Sequence, residues 1–182
     1  MPSREAVILG FDPGFAKFGW AALDLDGGRA IDAGVITTEK AKQRRITLDD
    51  NVRRTLELVV ALRHILRRFE VRAICAESMS HVRSASVSGK VSLAWGALIT
   101  LSAVHELPLL QATPQEVKLR VAGNIKASKP EIAFEVRRKL GNVFEDLLDG
   151  VSDGLHEHAY DAAACALACM SDEVICALRR AA

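Results

Sequence analysis

Near the start of the chain an apolar run of seven residues, Ala6-Val-Ile-Leu-Gly-Phe-Asp12, stops abruptly at Pro13-Gly14. A run this short, rich in strand formers and closed by a Pro-Gly turn, reads as a buried β-strand. It is neither a signal peptide nor a transit sequence, because Asp12 and Pro13 interrupt it too early. Residues 19–26 alternate in polarity, Gly27-Gly28 is a hairpin turn, and residues 30–37 form the partner strand. Two tight turns in the first forty residues imply an antiparallel meander, with Asp12 at the end of its first strand.

The pattern then changes period. Leu48, Val52, Leu56, Val59, Val60, Leu62, Ile65, Leu66 and Phe69 recur at helical spacing over residues 47–69, with arginines assigned to the opposite face. Residues 71–76 (VRAICA) read as a buried strand, 90–106 as a helix rich in small residues, and LPLLQA (107–112) as a short strand. Thr113-Pro-Gln-Glu116 and Ser128-Lys-Pro-Glu131 each carry a capping box with proline at the start of a helix, and Gly141 suits the end of the second. An Ala-rich stretch from Leu155 to about Met170 reads as the final helix. The order βββαβαβα predicts an α/β domain with a mixed five-stranded sheet flanked by helices. At 182 residues and 49% hydrophobic composition, a single domain over 1–182 is expected, its last ~10 residues a loose tail. No stretch is read as a membrane span, and the four cysteines, inside apolar segments, are read as reduced and buried. The expected location is cytoplasmic.

Three places carry chemistry. Asp12 ends the first strand, and Glu77 ends the strand at 71–76. If the two strands are central and parallel, both carboxylates emerge side by side at the sheet edge where α/β folds gather ligands. The third place is His156-Glu-His-Ala-Tyr-Asp161. His158 and Asp161 share a helix face at i, i+3, while Glu157 and Asp161 form an i, i+4 acidic pair. Asp161 falls within the apolar stripe of its helix, so its charge needs a partner. A metal shared with Asp12 and Glu77 would supply one. Carboxylate oxygens select hard ions such as Mg²⁺ or Mn²⁺, and two such ions can activate water against a phosphodiester. Zinc on His156, His158, Cys165 and Cys169 is the competing metal reading.

Net charge is +1, which neither announces nor excludes a nucleic acid. Locally, Lys118, Arg120, Lys126, Lys129, Arg137, Arg138 and Lys139 leave residues 118–139 strongly cationic, whereas residues 140–182 are acidic. A cationic strip beside an acidic site suits a phosphodiester substrate. Arg63, Arg67 and Arg68 are assigned to the solvent face of their helix.

Taken in order, Ile8-Leu-Gly-Phe-Asp-Pro-Gly14, Ala76-Glu77, Val117-Lys118, Lys126–Lys129 and His158-Ala-Tyr-Asp161 resemble the RuvC group of Holliday-junction resolvases over residues 6–170. The resemblance implies a ribonuclease H-like fold and a homodimer in which each subunit hydrolyses one strand of a four-way DNA junction, using two Mg²⁺ or Mn²⁺ ions. It implies that Asp12, Glu77 and Asp161 are metal ligands and that His158 stands where relatives carry Asp or His. It places Lys118 and Lys129 near the scissile phosphate and the helix at 90–106 at the dimer interface. Members of the group carry a junction-stacking aromatic soon after the strand-end Glu; here Glu77-Ser-Met-Ser-His81 has none, leaving Met79, His81 and Arg83 to face the DNA. A relaxed branched-DNA nuclease is the corresponding alternative.

Three further readings compete. An actin- or sugar-kinase-like ATPase shares the strand–acid–Gly turn but needs a second domain that 182 residues do not accommodate. A ribonuclease H-like RNA-processing enzyme would use the same acids. A non-catalytic DNA-binding module would have no use for three converging carboxylates.

Overall fold

The computed structural model describes residues 5–41, 47–79 and 85–181. Strands β1 (Ala6–Asp12), β2 (Lys17–Asp24) and β3 (Ala30–Thr37) form the antiparallel meander. After α1 (Thr47–Arg68), β4 (Glu70–Glu77) pairs parallel to β1. Helix α2 (Ala85–Val104) then leads to β5 (Leu109–Ala112), parallel to β4. The five-stranded sheet has the order β3-β2-β1-β4-β5. Helices α3 (Pro114–Ala122), α4 (Lys129–Leu140), the single turn α5 (Val143–Asp146), α6 (His156–Cys169) and α7 (Glu173–Ala181) follow.

The register sets the site. Asp12 is opposite Gly19 on β2, and Phe11 is level with Ala76 on β4, so Asp12 and Glu77 leave adjacent parallel strands at the same edge. Both capping regions start their helices as predicted. In α3, Thr113 and Glu116 satisfy each other's backbone N–H groups; in α4, Glu131 accepts from the Ser128 N–H and hydroxyl.

The two sheet faces bury different residues. Ile8, Ala21, Leu23, Ala73 and Cys75 point to α6, α3 and α4. Val7, Leu9, Phe11, Phe18, Trp20, Ile74 and Ala76 point to α1 and α2. Alternation along each strand produces this division.

Four expectations are corrected. Helix α1 buries Leu58, Leu62, Ile65 and Leu66, but Leu48, Val52, Leu56 and Val60 are exposed. The apolar residues of α1 form two stripes about a third of a turn apart, and only one can face a flat sheet. Nor do all the arginines face solvent. Arg54 is buried, donating to the Thr38 carbonyl and lying 4.4 Å over the Phe15 ring. The loose tail is instead α7, held by buried Ile175 and by Arg179 donating to the carbonyls of Leu25 and Asp26. Finally, α2 is long and apolar enough to cross a membrane by length and composition alone, although it buries Trp95, Leu98 and Leu101 in the core. Of the four free cysteines, Cys75, Cys165 and Cys169 are buried and Cys176 is half-buried.

Candidate active site

Asp12 and Glu77 reach the carboxyl edge of the sheet because β1 and β4 both end there. Pro13-Gly14 turns the chain away from Asp12, with the Gly14 N–H donating to the Asp12 carbonyl at 2.8 Å. Helix α6 crosses that edge at unusually close range. A Cβ on Gly19 would sit 1.9 Å from the His158 carbonyl oxygen, and one on Gly10 would sit 2.2 Å from that of Ala162. The two glycines let the first turns of α6 lie on the strands, which carries His158 and Asp161 to the acids of β1 and β4. Helices α3 and α4 close the other side with Lys118 and Lys129.

These six side chains line one cleft of about 370 Å³, with Val117 and Ile132 among its apolar walls. His158 Nδ1 lies 2.8 Å from Asp12 Oδ2, and because a carboxylate can only accept, the imidazole carries its proton on Nδ1. The Lys129 ammonium donates to both Asp161 Oδ2 and Glu157 Oε2, each at 3.0 Å. Glu157 Oε1 stands 3.9 Å from His158 Nε2. A chain of alternating charge capacity therefore runs Asp161–Lys129–Glu157–His158–Asp12 around the cleft.

Among the described residues, no ion pair reaches Glu77; Lys129 pairs with Asp161 and Glu157 instead. Burial, reinforced by the negative charges of Asp12 and Asp161, pushes its carboxyl up to about 7. Asp161 is also raised, first by burial, with the Lys129 hydrogen bond opposing. Burial alone would lower Lys129, but the hydrogen bonds and charges of Asp161 and Glu157 outweigh it and hold the ammonium well above the usual lysine range. Glu157 is lowered by its hydrogen bond from Lys129.

The chemistry of this donor set fits hard divalent cations. Three carboxylates share one cleft, and their mutual repulsion is what an added cation relieves. In their present orientation, no three His, Cys, Asp or Glu side chains among the described residues stand close enough to hold an ion. The lysine and the imidazole already engage Asp161 and Asp12. The zinc reading is not assembled: His156 Nε2 bonds the Val151 carbonyl, His158 faces Asp12, and Cys165 and Cys169 are buried in the core.

The remaining predicted site residues lie elsewhere. Arg120 donates to the Ala168 carbonyl near the end of α6. Lys126 is exposed in the turn before α4, and Met79 is exposed just beyond β4. Arg137 is held by Tyr160 and Glu145, and Arg138 by Glu135, so the cationic strip is partly neutralised. His81 and Arg83 lie outside the described residues.

A family model described as crossover junction endodeoxyribonuclease RuvC matches residues 8–169, which takes in every element from β1 to α6. The chain belongs to the RuvC family. The crossover junction endodeoxyribonuclease RuvC of Prochlorococcus marinus (strain MIT 9303) is 32% identical over 73% of this chain and 82% of its own. The RuvC structure from Thermus thermophilus is 26% identical, with a TM-score of 0.68 over 89% of this chain and 92% of that one. A second T. thermophilus RuvC structure, in complex with a Holliday junction substrate, shares the fold at 24% identity, with a TM-score of 0.70 over 90% and 92% of the two chains. The family's activity is endonucleolytic, and the five-stranded mixed sheet with flanking helices is the architecture shared with these RuvC structures.

The sequence alone did not indicate the Lys129–Glu157 link. Its signal was present in the i, i+4 spacing of Glu157 and Asp161 beside a lone lysine at the start of α4. Only the crossing of α4 and α6 pairs them.

Proposed function

We propose that the chain is a metal-dependent endonuclease that resolves four-way DNA junctions by paired nicks, working as a homodimer in the cytoplasm. The observation that carries this reading is the meeting of Asp12, Glu77 and Asp161 in one cleft with Lys118 and Lys129. In the RuvC family, acids at these motif positions are the expected metal ligands.

Asp12, Glu77 and Asp161, with His158 or Glu157 as a fourth group, would hold two Mg²⁺ or Mn²⁺ ions. When bound, such ions lower the pKa of a water and stabilise negative charge on a phosphoryl oxygen. The chain's own residues do the rest. Lys118 and Lys129 attract and orient the phosphodiester by charge-assisted hydrogen bonds. His158 holds the Asp12 carboxylate in one orientation through Nδ1–H, leaving Nε2 free to accept or relay a proton. Apolar Val117 and Ile132 restrict water on the side of the cleft away from the sheet.

The dimer reading rests on α2. Its outer side carries Gly89, Ser92, Leu93, Gly96, Ile99 and Thr100, all exposed, and a Cβ at Gly89 or Gly96 would meet nothing within 4 Å. A twin helix could approach such a surface closely. Exposed Met79 offers dispersion rather than ring stacking, which supports a cut position tolerant of sequence.

The test is cleavage of four-way, three-way, flap and linear DNAs and a structured RNA, in Mg²⁺ and in Mn²⁺. Symmetrical nicks confined to the four-way junction are expected. Cleavage of all branched DNAs would favour the relaxed nuclease, and cleavage of RNA alone would overturn the reading.

A further inference from the structure

Lys129 is shared by two carboxylates on one face of α6, yet only Asp161 of the pair lines the cleft. The root of the lysine is fixed, because it is the first residue of α4 and Glu131 ties down the preceding Ser128. Its four-carbon stem alone can move. In the arrangement seen, the ammonium takes Asp161 Oδ2, one of the two oxygens that Asp161 would offer to a cation. An ammonium and a divalent cation cannot share one carboxylate oxygen without strong repulsion, so one must yield.

We propose that Glu157 is a positioning residue for Lys129. It holds the ammonium at the cleft rim when Asp161 turns to a metal, so that the lysine is displaced without being lost from the site. The proposal rests on the reading of Asp161 as a metal ligand. Two observations fit it. Glu157 is one helical turn before Asp161, so the ammonium can pivot from one carboxylate to the other without moving its backbone. Glu157 is about half-exposed, whereas the Asp161 side chain is 23% exposed, so the rim position is the better solvated of the two for a displaced cation.

The inference predicts a coupling that a purely structural or purely electrostatic role lacks. Mn²⁺ binding to the DNA-free protein is titrated by the loss of the free-ion electron paramagnetic resonance signal, for the parent, Glu157→Gln, Lys129→Met and the double variant. Glu157→Gln leaves Lys129 only Asp161 as a charged partner, so Mn²⁺ binding should weaken roughly three- to fivefold, the scale of an exposed ion pair. Lys129→Met removes the competitor and should tighten binding. In the Lys129→Met background, Glu157→Gln should have almost no further effect. Glu157→Asp should restore part of the loss, and melting temperatures of the metal-free proteins should confirm that all five fold.

Equal weakening by Glu157→Gln in both backgrounds would mean that Glu157 acts on the metal directly and would overturn the proposal, as would no weakening in either. A parent that binds no Mn²⁺ would instead defeat the metal-site reading itself, and this proposal with it.

Discussion

The two faces of the sheet use the same strands and solve different problems. On the α6 face the helix crosses the strands over small residues. Gly10 and Gly19 admit the helix backbone itself, and Ala162, Ala163 and Ala166 are fully buried against the sheet. On the α1/α2 face the filling is bulky, with Phe11 and Phe18 in edge contact at 5.5 Å and Trp20 and Trp95 buried nearby. Close approach brings a helix's polar side chains to the strand ends, where the acids are. Bulky filling keeps α1 and α2 at arm's length, and their outer apolar residues are left uncovered. One face builds the acidic cleft, and the other leaves apolar residues of α1 and α2, such as Leu56 and Ile99, exposed.

The sharpest way to break this comparison is Asp12→Asn. It keeps the shape of the cleft and removes one charge, so junction cleavage should fall on the order of a thousandfold or more, with binding largely kept. Near-native turnover in a gel-based nicking assay would show that the cleft is not where cleavage occurs.

Next in size is Gly10→Val. Its Cβ meets backbone, which cannot yield, so the variant should lose about 3 kcal/mol or more and melt roughly 10 °C lower. A native melting temperature would mean that the closeness of α6 is not structurally required.

On the opposite face, Gly96→Arg puts a large charge at a position with open space around it. The monomer should keep its melting temperature, while self-association measured by sedimentation should weaken by about a hundredfold. A dimer that survives would move the interface off α2.

Glu77 gives a smaller effect with a definite sign. Burial pushes its folded carboxyl up to about 7, from the ordinary 4.5 of an exposed glutamate, so the folded state binds the extra proton between those values. Stability of the metal-free protein should therefore be highest below about pH 4.5 as far as this group is concerned, and fall as pH rises through 7. Glu77→Gln should remove that fall and gain about 1–2 kcal/mol at pH 8 after allowance for partial exposure, as read from urea unfolding. A parent whose stability rises over the same pH range, or a Gln variant with the same pH slope, would show that Glu77 is not held against its charge.

The smallest effect contrasts two leucines of α1. Leu62→Ala should cost about 2–5 kcal/mol, whereas Leu56→Ala should stay within about 0.5 kcal/mol in the monomer. Similar losses at both would mean that the outer stripe is covered.

Much of this was legible in the residues themselves. Asp12-Pro-Gly14 and the turn at Gly27-Gly28 are local signals, because strand ends and hairpins are set by backbone conformation over a few residues. The capping boxes at Thr113 and Ser128 are local in the same way, and both helices start where they predict. The acid set was readable for a related reason: each member sits at the end of a strand or in the first turns of a helix.

What no local pattern could decide is which apolar stripe of α1 faces the sheet, since Leu56 and Leu62 are equally hydrophobic and differ only in direction. The same holds for the neighbours of Lys129 and Arg120. Both are lysine or arginine beside acids in sequence, yet one enters the cleft and the other ends α6. The sequence by itself determined the elements, their order and the placement of Asp12 and Glu77 at strand ends and of Asp161 in the first turns of a helix, because propensity, capping and turn chemistry act over a few residues. Only the tertiary structure decided that α6 lies directly on Gly10 and Gly19, that Lys129 bridges Glu157 and Asp161, and that α7 is held against the fold. Those facts depend on contacts between residues up to about 150 positions apart, such as His158 with Asp12 and Arg179 with Leu25, and such contacts form only when the whole core closes.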